Sequence, residues 1–429
     1  TVYQEDADKE IPAHEREARY LEAFGECRDT LIEMGANLSA YTTFASAHDV
    51  KDILLALKYD KANLFGVSYG TRLAQVLMRE YPEVVNAAVL DSVLPVEAKI
   101  YNESAANSQY ALTKLFEHCA ADPACASAYP DLEGEFLALV EELDQNPMRA
   151  TVYLPNDQTY RRNVDGLAFM NVTLWALRQP ELLSTVPQSI MRAKLGDANI
   201  LGTILAYPSE AVIDINLGAY LSINCREQVY ATNAEEVAQN LAEYPDTEAV
   251  GLGWIYGDPA LIFKFCDTWQ IERIRPDENA ALTSDIPTLL MAGEYDSTTP
   301  PRFAQQVAAG LSRATLVEFP GQGHAVSFTQ TSTCPLEILQ EFLQNPSADI
   351  DTGCAAEMPV PLFSTPYAGS PPLVLEPISD QAAGVTTVIP EGWQELGSGF
   401  YTRSASSWDV TQIGAQKVSL GFDSWLAWL

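Results

Sequence analysis

The stretch ANLFGVSYGTRLAQVLMREY, residues 62–81, decides the fold, because two different hydrophobic patterns meet within it. Residues 62–67 form a short apolar run, which is typical of a buried parallel strand. The residues after Gly70 carry apolar side chains at helical spacing. Ser68 lies at the junction, between Gly66 and Gly70, so the sequence predicts a strand that turns directly into a helix at a serine.

A strand that passes into a helix through Gly-x-Ser-x-Gly is the nucleophile elbow of α/β-hydrolases. The serine backbone is strained in such a turn, and we expect a Cβ at either Gly66 or Gly70 to clash. The turn exposes the serine hydroxyl and directs the free N–H groups of the new helix at negative charge forming beside it. The pattern also occurs by chance in turns without chemistry, so it needs support from elsewhere in the chain.

In two later stretches, a predicted strand is followed by a loop that carries a residue suited to a catalytic triad. IPTLLMAGEYD, residues 286–296, reads as an apolar strand followed by an acid-bearing loop, and TLVEFPGQGH, residues 315–324, as a strand followed by a histidine. In α/β-hydrolases the triad follows the chain order serine, acid, histidine. Ser68, Asp296 and His324 match this order.

The alternatives to His324 are few, because the chain has only four histidines. His14 and His48 precede the serine on predicted helices, and His118 lies inside a helical pattern with no strand before it. Only His324 follows a strand in a glycine-rich loop, so we expect it to be the base.

Two acids compete with Asp296. Asp285 precedes its strand and would lie at the wrong end of the sheet. Glu294 is closer, but the position two residues later fits the turn better, so Asp296 is the preferred acid and Glu294 the alternative.

Further short stretches fit one pattern: residues 37–43 (NLSAYTT), 47–50 (AHDV), 63–74 (NLFGVSYGTRLA), 81–83 (YPE), 89–93 (VLDSV), 298–300 (TTP) and 323–324 (GH). With the three triad positions, they resemble secreted serine aminopeptidases of the proline iminopeptidase and tripeptidyl aminopeptidase type, with a TAP-like C-terminal segment. The resemblance spans roughly residues 15–360 and is most specific around Ser68. It implies an α/β-hydrolase fold with a helical cap insertion, and cleavage of peptides near their N-terminus.

The resemblance also implies site roles. The backbone N–H of Tyr69 would supply half of an oxyanion hole, and Glu227 is our candidate for binding the substrate ammonium group, with a solvated surface position as the alternative. Four aromatic residues are candidates for an apolar pocket, with packing between cap and core as the competing interpretation: Trp175, Tyr220, Trp254 and Trp269. No cofactor or metal is predicted, since no C-x-x-C occurs and no histidine has ligand spacing to two cysteines.

Two rival functions use the same residues. A carboxylesterase would apply the triad to small esters, and a hydrolase-fold binding protein would use the pocket without catalysis.

Relatives carry several strands before the nucleophile and a Gly-Gly-Pro-Gly turn with a second oxyanion donor, and neither is found here. We therefore expect a fragment that begins after the fourth strand, with an unpaired sheet edge and impaired activity.

The seven cysteines suggest three pairs: Cys119 with Cys125, Cys225 with Cys266, and Cys334 with Cys354. Cys27 is left over, and the resemblance implies a partner just upstream of Thr1. An odd cysteine in an exported protein indicates a missing partner or a free thiol. The alternative is seven buried thiols in a cytosolic enzyme.

Composition limits the partners. The net charge of −33 argues against nucleic acid and anionic membranes, and fits an acidic, solvated surface. No apolar run is long enough to span a bilayer. We expect a secreted or extracytoplasmic protein that acts on peptides, with its export signal upstream of Thr1; nothing in the sequence sets an oligomeric state.

The predicted organisation has five parts. The hydrolase domain occupies residues 1–96 and 281–356 and is interrupted by a helical cap at 97–280. A proline-rich linker (357–383) leads to a partial β-rich appendage (384–429), in which VTTVIP, SGFYTR and QKVSLGF are the strand-like runs.

Overall fold

The computed structural model contains a parallel four-stranded sheet, in which the strands lie side by side in the order in which they follow along the chain. It describes residue 9 and residues 11–153, 159–198, 201–202, 204–205, 216–247, 259–358, 362–365, 375–380, 385–390, 393–397, 400–402 and 412–414. The four sheet strands are β1 (Ala62–Val67), β2 (Val85–Asp91), β5 (Thr288–Gly293) and β6 (Ala314–Phe319). Strands β1, β5 and β6 are those that the apolar runs before Ser68, Asp296 and His324 predict, and the α/β-hydrolase fold is confirmed.

Helices cover both faces of this sheet and form a large insertion between β2 and β5. Before the insertion lie α1 (Ala13–Glu33), α2 (Thr43–Ala56) and α3 (Tyr69–Glu80). The insertion contains α4 (Ile100–Ala121), α5 (Pro123–Ala128), α6 (Leu132–Gln145), α7 (Gly166–Leu177), α8 (Pro180–Leu183), α9 (Val186–Lys194), α10 (Leu217–Glu227), α11 (Ala234–Leu241) and α12 (Pro259–Trp269). After it come α13 (Pro301–Ala308), α14 (Cys334–Gln344) and α15 (Gly353–Ala356).

Alternating residues of the two central strands supply two separate cores. Ala88 and Leu90 of β2 pack with α2, α3 and α13 on one face. Ala87 and Val89 pack with α14 and α15 on the other. Strand side chains alternate between faces, and β2 and β5 are buried along almost their whole length. The domain is therefore a three-layer sandwich with its parallel sheet in the middle.

The helical insertion has its own cores and includes a hairpin that the sequence reading missed. Strands β3 (Met148–Tyr153) and β4 (Thr159–Val164) pair antiparallel, and their buried side chains join those of α4, α6, α7 and α9. A second core brings α10 and α12 of the insertion together with α1. None of the described helices is both long and apolar enough to cross a membrane.

Three disulfides join neighbouring elements: Cys119–Cys125, Cys225–Cys266 and Cys334–Cys354. The first joins α4 to α5, the second α10 to α12, and the third α14 to α15. Cys27, on α1, is a partly buried free cysteine. Disulfides persist in oxidising compartments, so this pattern suits an extracytoplasmic protein.

The interpretation of residues 357–383 as a linker needs correction. Leu375–Asp380 forms β7, which pairs antiparallel with β8 (Val385–Pro390), so strand structure begins before residue 384. Ser364 also donates its N–H to Ser184 O and accepts from the Tyr129 hydroxyl, both at 2.8 Å. Residues 362–365 therefore pack on the helical insertion.

Two of the three strand-like runs predicted near the C-terminus contain strands in the described residues. VTTVIP corresponds to β8, and residues of SGFYTR form β10 (Phe400–Thr402), which lies between β9 (Gln394–Gly397) and β11 (Gln412–Gly414). The run QKVSLGF lies outside the described residues.

Candidate active site

Ser68 occupies a strained turn between β1 and α3. Its backbone has φ 55° and ψ −122°, a conformation that non-glycine residues adopt rarely and mostly at functional sites. Thr71 braces the turn, because its hydroxyl donates to Ser68 O (2.6 Å) and accepts from Leu94 N (2.8 Å). The N–H of Tyr69 lies in the first turn of α3, where backbone donors have no partner within the helix.

The two glycines near Ser68 differ in the space available for a Cβ. The expectation that a Cβ would clash at both is therefore wrong for one of them. A Cβ on Gly66 would lie 2.4 Å from Gly70 O, because the strand and the helix cross there. A Cβ on Gly70 would meet no heavy atom within 4 Å. Only Gly66 is sterically required.

This difference gives a matched pair of variants. Gly66→Ala should lose about 3 kcal/mol of unfolding free energy, because backbone atoms must move to admit the Cβ. Gly70→Ala should not destabilise the protein. Chemical denaturation of both variants measures the effect, and equal stability of the two would contradict this account of the elbow.

Asp296 and His324 form a buried pair at the carboxyl ends of β5 and β6. His324 Nδ1 lies 2.7 Å from Asp296 Oδ2, and the Asp296 side chain is fully buried. Asp296 Oδ1 accepts the N–H groups of Thr298 and Thr299, each at 2.9 Å, and Oδ2 accepts the Thr299 hydroxyl at 2.6 Å. Four donors therefore surround one carboxylate.

The charge of Asp296 is stabilised by its surroundings. Burial by itself raises the pKa of a carboxyl, but His324, Arg178 and Thr299 together hold the pKa of Asp296 below its usual range. The group is consequently ionised at neutral pH and suited to orienting an imidazole.

Glu294 and His118, the alternatives to this pair, contact each other instead. The Glu294 carboxylate accepts Gly321 N–H at 2.9 Å and lies 3.5 Å from His118 Nε2. His118 Nδ1 lies 2.6 Å from the Tyr295 hydroxyl. The structure thus places Asp296, and not Glu294, against His324.

A second buried carboxylate, Asp91, holds the loop after His324. Asp91 ends β2, beside the nucleophile strand, and its carbonyl accepts Ser68 N–H at 3.0 Å. Its side chain accepts Val326 N–H (3.1 Å), Ser327 N–H (2.8 Å) and the Ser327 hydroxyl (2.5 Å). One residue therefore connects the elbow and the histidine loop.

Ser92 also connects β2 to the histidine loop, and both Ser92 and its partner Ala325 have strained backbones. Ser92 has φ 57° and Ala325 has φ 62°, and Ala325 N–H donates to Ser92 Oγ at 2.7 Å. Burial raises the pKa of Asp91, while the donors of Ser327 lower it. Sequence reading did not assign Asp91 and Ser92 a role, although an acid at the end of the strand next to the nucleophile was a usable signal.

Asp91→Asn tests this connection. The amide can accept at one oxygen only, so the donors of Val326 or Ser327 lose their partner, and we expect about 2 kcal/mol lower stability. A shifted His324 should also lower kcat by about 100-fold. Thermal unfolding and steady-state kinetics measure both; an unchanged kcat in the folded variant would show that Asp91 does not position His324.

Ser68 opens into a cavity of about 620 Å³ between the sheet and the helical insertion. Thr298 and Thr299 line the same cavity, and Thr299 Oγ1 lies 3.3 Å from His324 Nδ1. Thr299 thus connects the Asp296–His324 pair to the cavity that Ser68 lines, at the carboxyl ends of the strands, where ligands bind in α/β folds. Asp296 and His324 are not among the residues that line this cavity, and within the described residues no hydrogen bond joins Ser68 to His324.

Glu227 also lines this cavity and is only 3% exposed, so the alternative of a solvated position is wrong. Its Oε1 accepts Thr43 N–H, and its Oε2 accepts the Thr43 hydroxyl, both at 2.6 Å. Arg72 Nε lies 3.1 Å from Oε2. The carboxylate is paired and fixed at the N-terminus of α2.

The aromatic candidates separate into two groups. Trp175 and Tyr220 line the cavity. Trp269 does not; it is 1% exposed in the core of α10 and α12 and donates to Ser222 Oγ at 3.0 Å. Trp254 lies outside the described residues.

An elbow serine, a buried acid–histidine pair and a helix-covered cavity on a parallel sheet together define an α/β-hydrolase. Residues 256–354 match the family described as TAP-like protein. Serine protease Hip1 of Mycobacterium tuberculosis is 27% identical over 365 residues, covering 79% of this chain and 66% of the relative. The chain is therefore similar to TAP-like serine hydrolases, and its match spans slightly less than two thirds of these curated relatives.

Solved structures resemble the chain more distantly. Est816, an N-acyl homoserine lactone degrading enzyme, is 19% identical with a TM-score of 0.30, covering 71% of this chain and 76% of its own. MGS-M2, an alpha/beta hydrolase from a Medee basin deep-sea metagenome library, is 15% identical with a TM-score of 0.31, covering 73% and 74%.

Proposed function

We propose that the protein is a serine peptidase that removes residues from the free N-terminus of peptides through an acyl-enzyme. The observation that carries this proposal is the single cavity shared by the elbow serine, the threonine that binds the Asp296–His324 pair, and the buried Glu227. The match to a serine protease supports the reaction class.

In the proposed reaction, His324 removes the proton of the Ser68 hydroxyl as its oxygen attacks the peptide carbonyl. The N–H of Tyr69 stabilises the oxyanion, and His324 then gives the proton to the leaving amine. Water, activated by the same imidazole, releases the acyl group. Asp296 holds the imidazole with its Nδ1–H toward the carboxylate, so that Nε2 is free to accept the proton.

The aminopeptidase part of the proposal rests on Glu227. A carboxylate has about four lone-pair positions, and Thr43 and Arg72 occupy three of those on Glu227. One position is left for a substrate ammonium. Because Arg72 already balances the Glu227 charge, the ammonium would bind mainly as a hydrogen-bond donor in a desolvated site.

Comparison of an aminoacyl 4-nitroanilide, its N-acetylated form and a 4-nitrophenyl ester tests the function. We expect the anilide with a free amine to be cleaved and the acetylated form to be cleaved far more slowly. Cleavage of the ester alone would replace the proposal with a carboxylesterase, and failure to cleave or to react with a fluorophosphonate would indicate a binding protein.

Glu227→Gln tests the amine site directly. Loss of the charge-assisted hydrogen bond should reduce the preference for a free over an acetylated amine by about tenfold or more. The variant leaves Arg72 without its ion pair, which can cost about 3 kcal/mol or more in stability, so kinetics should be run well below the unfolding temperature. An unchanged preference in the folded variant would remove Glu227 from substrate binding.

A further inference from the structure

We infer that Arg178 binds a carboxylate of the substrate inside the Ser68 cavity. This inference rests on the proposed peptidase function and adds to it the chemical class of the substrate. Arg178 follows α7 in the helical insertion and lines the cavity together with Ser68 and Thr298.

Backbone contacts hold Arg178 in place beside His324. Its carbonyl accepts the N–H of His324 at 2.8 Å. A Cβ on the neighbouring Gly323 would lie 2.2 Å from that carbonyl, so the two segments are in close contact. The side chain therefore starts from a well-defined position next to the proposed catalytic pair.

The guanidinium has unused donors. Nε is inaccessible to solvent and has no hydrogen-bond partner, and within the described part of the chain Arg178 forms no side-chain hydrogen bond or ion pair. A guanidinium carries five N–H donors, and an unpaired charge of this kind is expensive to bury. Burial lowers the pKa of Arg178, while Asp296 raises it.

Asp296 is near enough to interact electrostatically with Arg178, but it has no acceptor position to offer. Its two oxygens already accept from Thr298, Thr299 and His324, four hydrogen bonds in all. The donors of Arg178 therefore need an anion that the described residues do not supply.

The cavity charges point to the nature of that anion. Arg72 and Glu227 form a buried ion pair in the cavity that is neutral overall. Asp296 offsets the charge of Arg178 electrostatically but accepts none of its N–H groups, so the guanidinium still lacks an anion to which it can hydrogen-bond. In a peptide the matching anion is a carboxylate, which a guanidinium can bind through two parallel hydrogen bonds. It belongs either to an Asp or Glu side chain or to the C-terminus of a short peptide.

Two pairs of substrates test the inference on the unaltered protein. The first pair has Glu or Gln before the scissile bond of a 4-nitroanilide; the second is a short neutral peptide with a C-terminal carboxylate or amide. We expect kcat/KM to favour the carboxylate by about tenfold or more in one pair, which identifies its source. Added salt should change this preference little, because salt screens buried ion pairs much less than exposed ones.

Variants then connect the preference to Arg178. Arg178→Gln should bring the ratio within that pair close to one, and Arg178→Lys should retain part of it. If the protein cleaves the neutral substrates but both ratios are near one, the carboxylate inference fails and the peptidase proposal stands. If no peptide substrate is cleaved, both fail. A ratio that Arg178→Gln leaves intact also overturns the assignment to Arg178.

Discussion

Ser68→Ala is expected to lower kcat by about a million-fold, because it removes the proposed nucleophile and with it the covalent route. The hydroxyl it removes lies at the one strained turn between β1 and α3. The backbone of the elbow keeps its hydrogen bonds, since Ser68 contributes only its N–H and carbonyl to them. Stability should therefore change little while hydrolysis stops.

Ser297→Ala is the matched control, because Ser297 lines the same cavity. A fluorophosphonate should label the protein and the Ser297 variant, and should leave the Ser68 variant unlabelled. Labelling and turnover that survive in Ser68→Ala would disprove the assignment of the nucleophile.

Asp296→Asn has the second largest expected effect, a loss of about 10⁴ in kcat. The amide oxygen can still accept Thr298 and Thr299 N–H, so the loop should keep its shape. The amide NH₂ would then face His324 Nδ1 and donate to it, which places the remaining ring proton on Nε2. In that tautomer the histidine cannot accept a proton from Ser68.

Glu294→Gln separates the two acids, because it makes the same carboxylate-to-amide change two residues away. Glu294 binds Gly321 N–H and faces His118, so we expect kcat to fall by no more than a few-fold. A loss in the Glu294 variant that matches that of Asp296→Asn would mean that the two carboxylates act as one unit. Measurement of kcat for both variants on one substrate decides between them.

Sequence patterns predict the parts of this fold that local interactions determine. The apolar runs before Ser68, Asp296 and His324 are strands in the structure, because continuous apolar segments of this length suit a sheet that is buried on both faces. The same logic predicts that their loops meet at one edge. Chain order and strand ends favour Asp296 as the partner of His324, but they leave Glu294 as an alternative that only the structure excludes.

Other features depend on contacts between distant segments, and local patterns do not contain them. Arg178 has no motif around it, and its position follows from the packing of α7 against the His324 loop. The burial of Glu227 depends on Thr43 and Arg72, more than 150 residues earlier. The β3–β4 hairpin is a different case, because it is a local structure that lies between helices of the insertion and was not predicted.

The hydrogen bond from His324 N–H to Arg178 O has a mechanical consequence. His324 belongs to the sheet domain, whereas Arg178 belongs to the helical insertion that covers the cavity. Movement of the insertion away from the sheet domain at the end of α7 would therefore break this hydrogen bond, which holds the backbone of His324 in place. In the proposed mechanism, opening at this point would therefore disable the base, and closing would restore it.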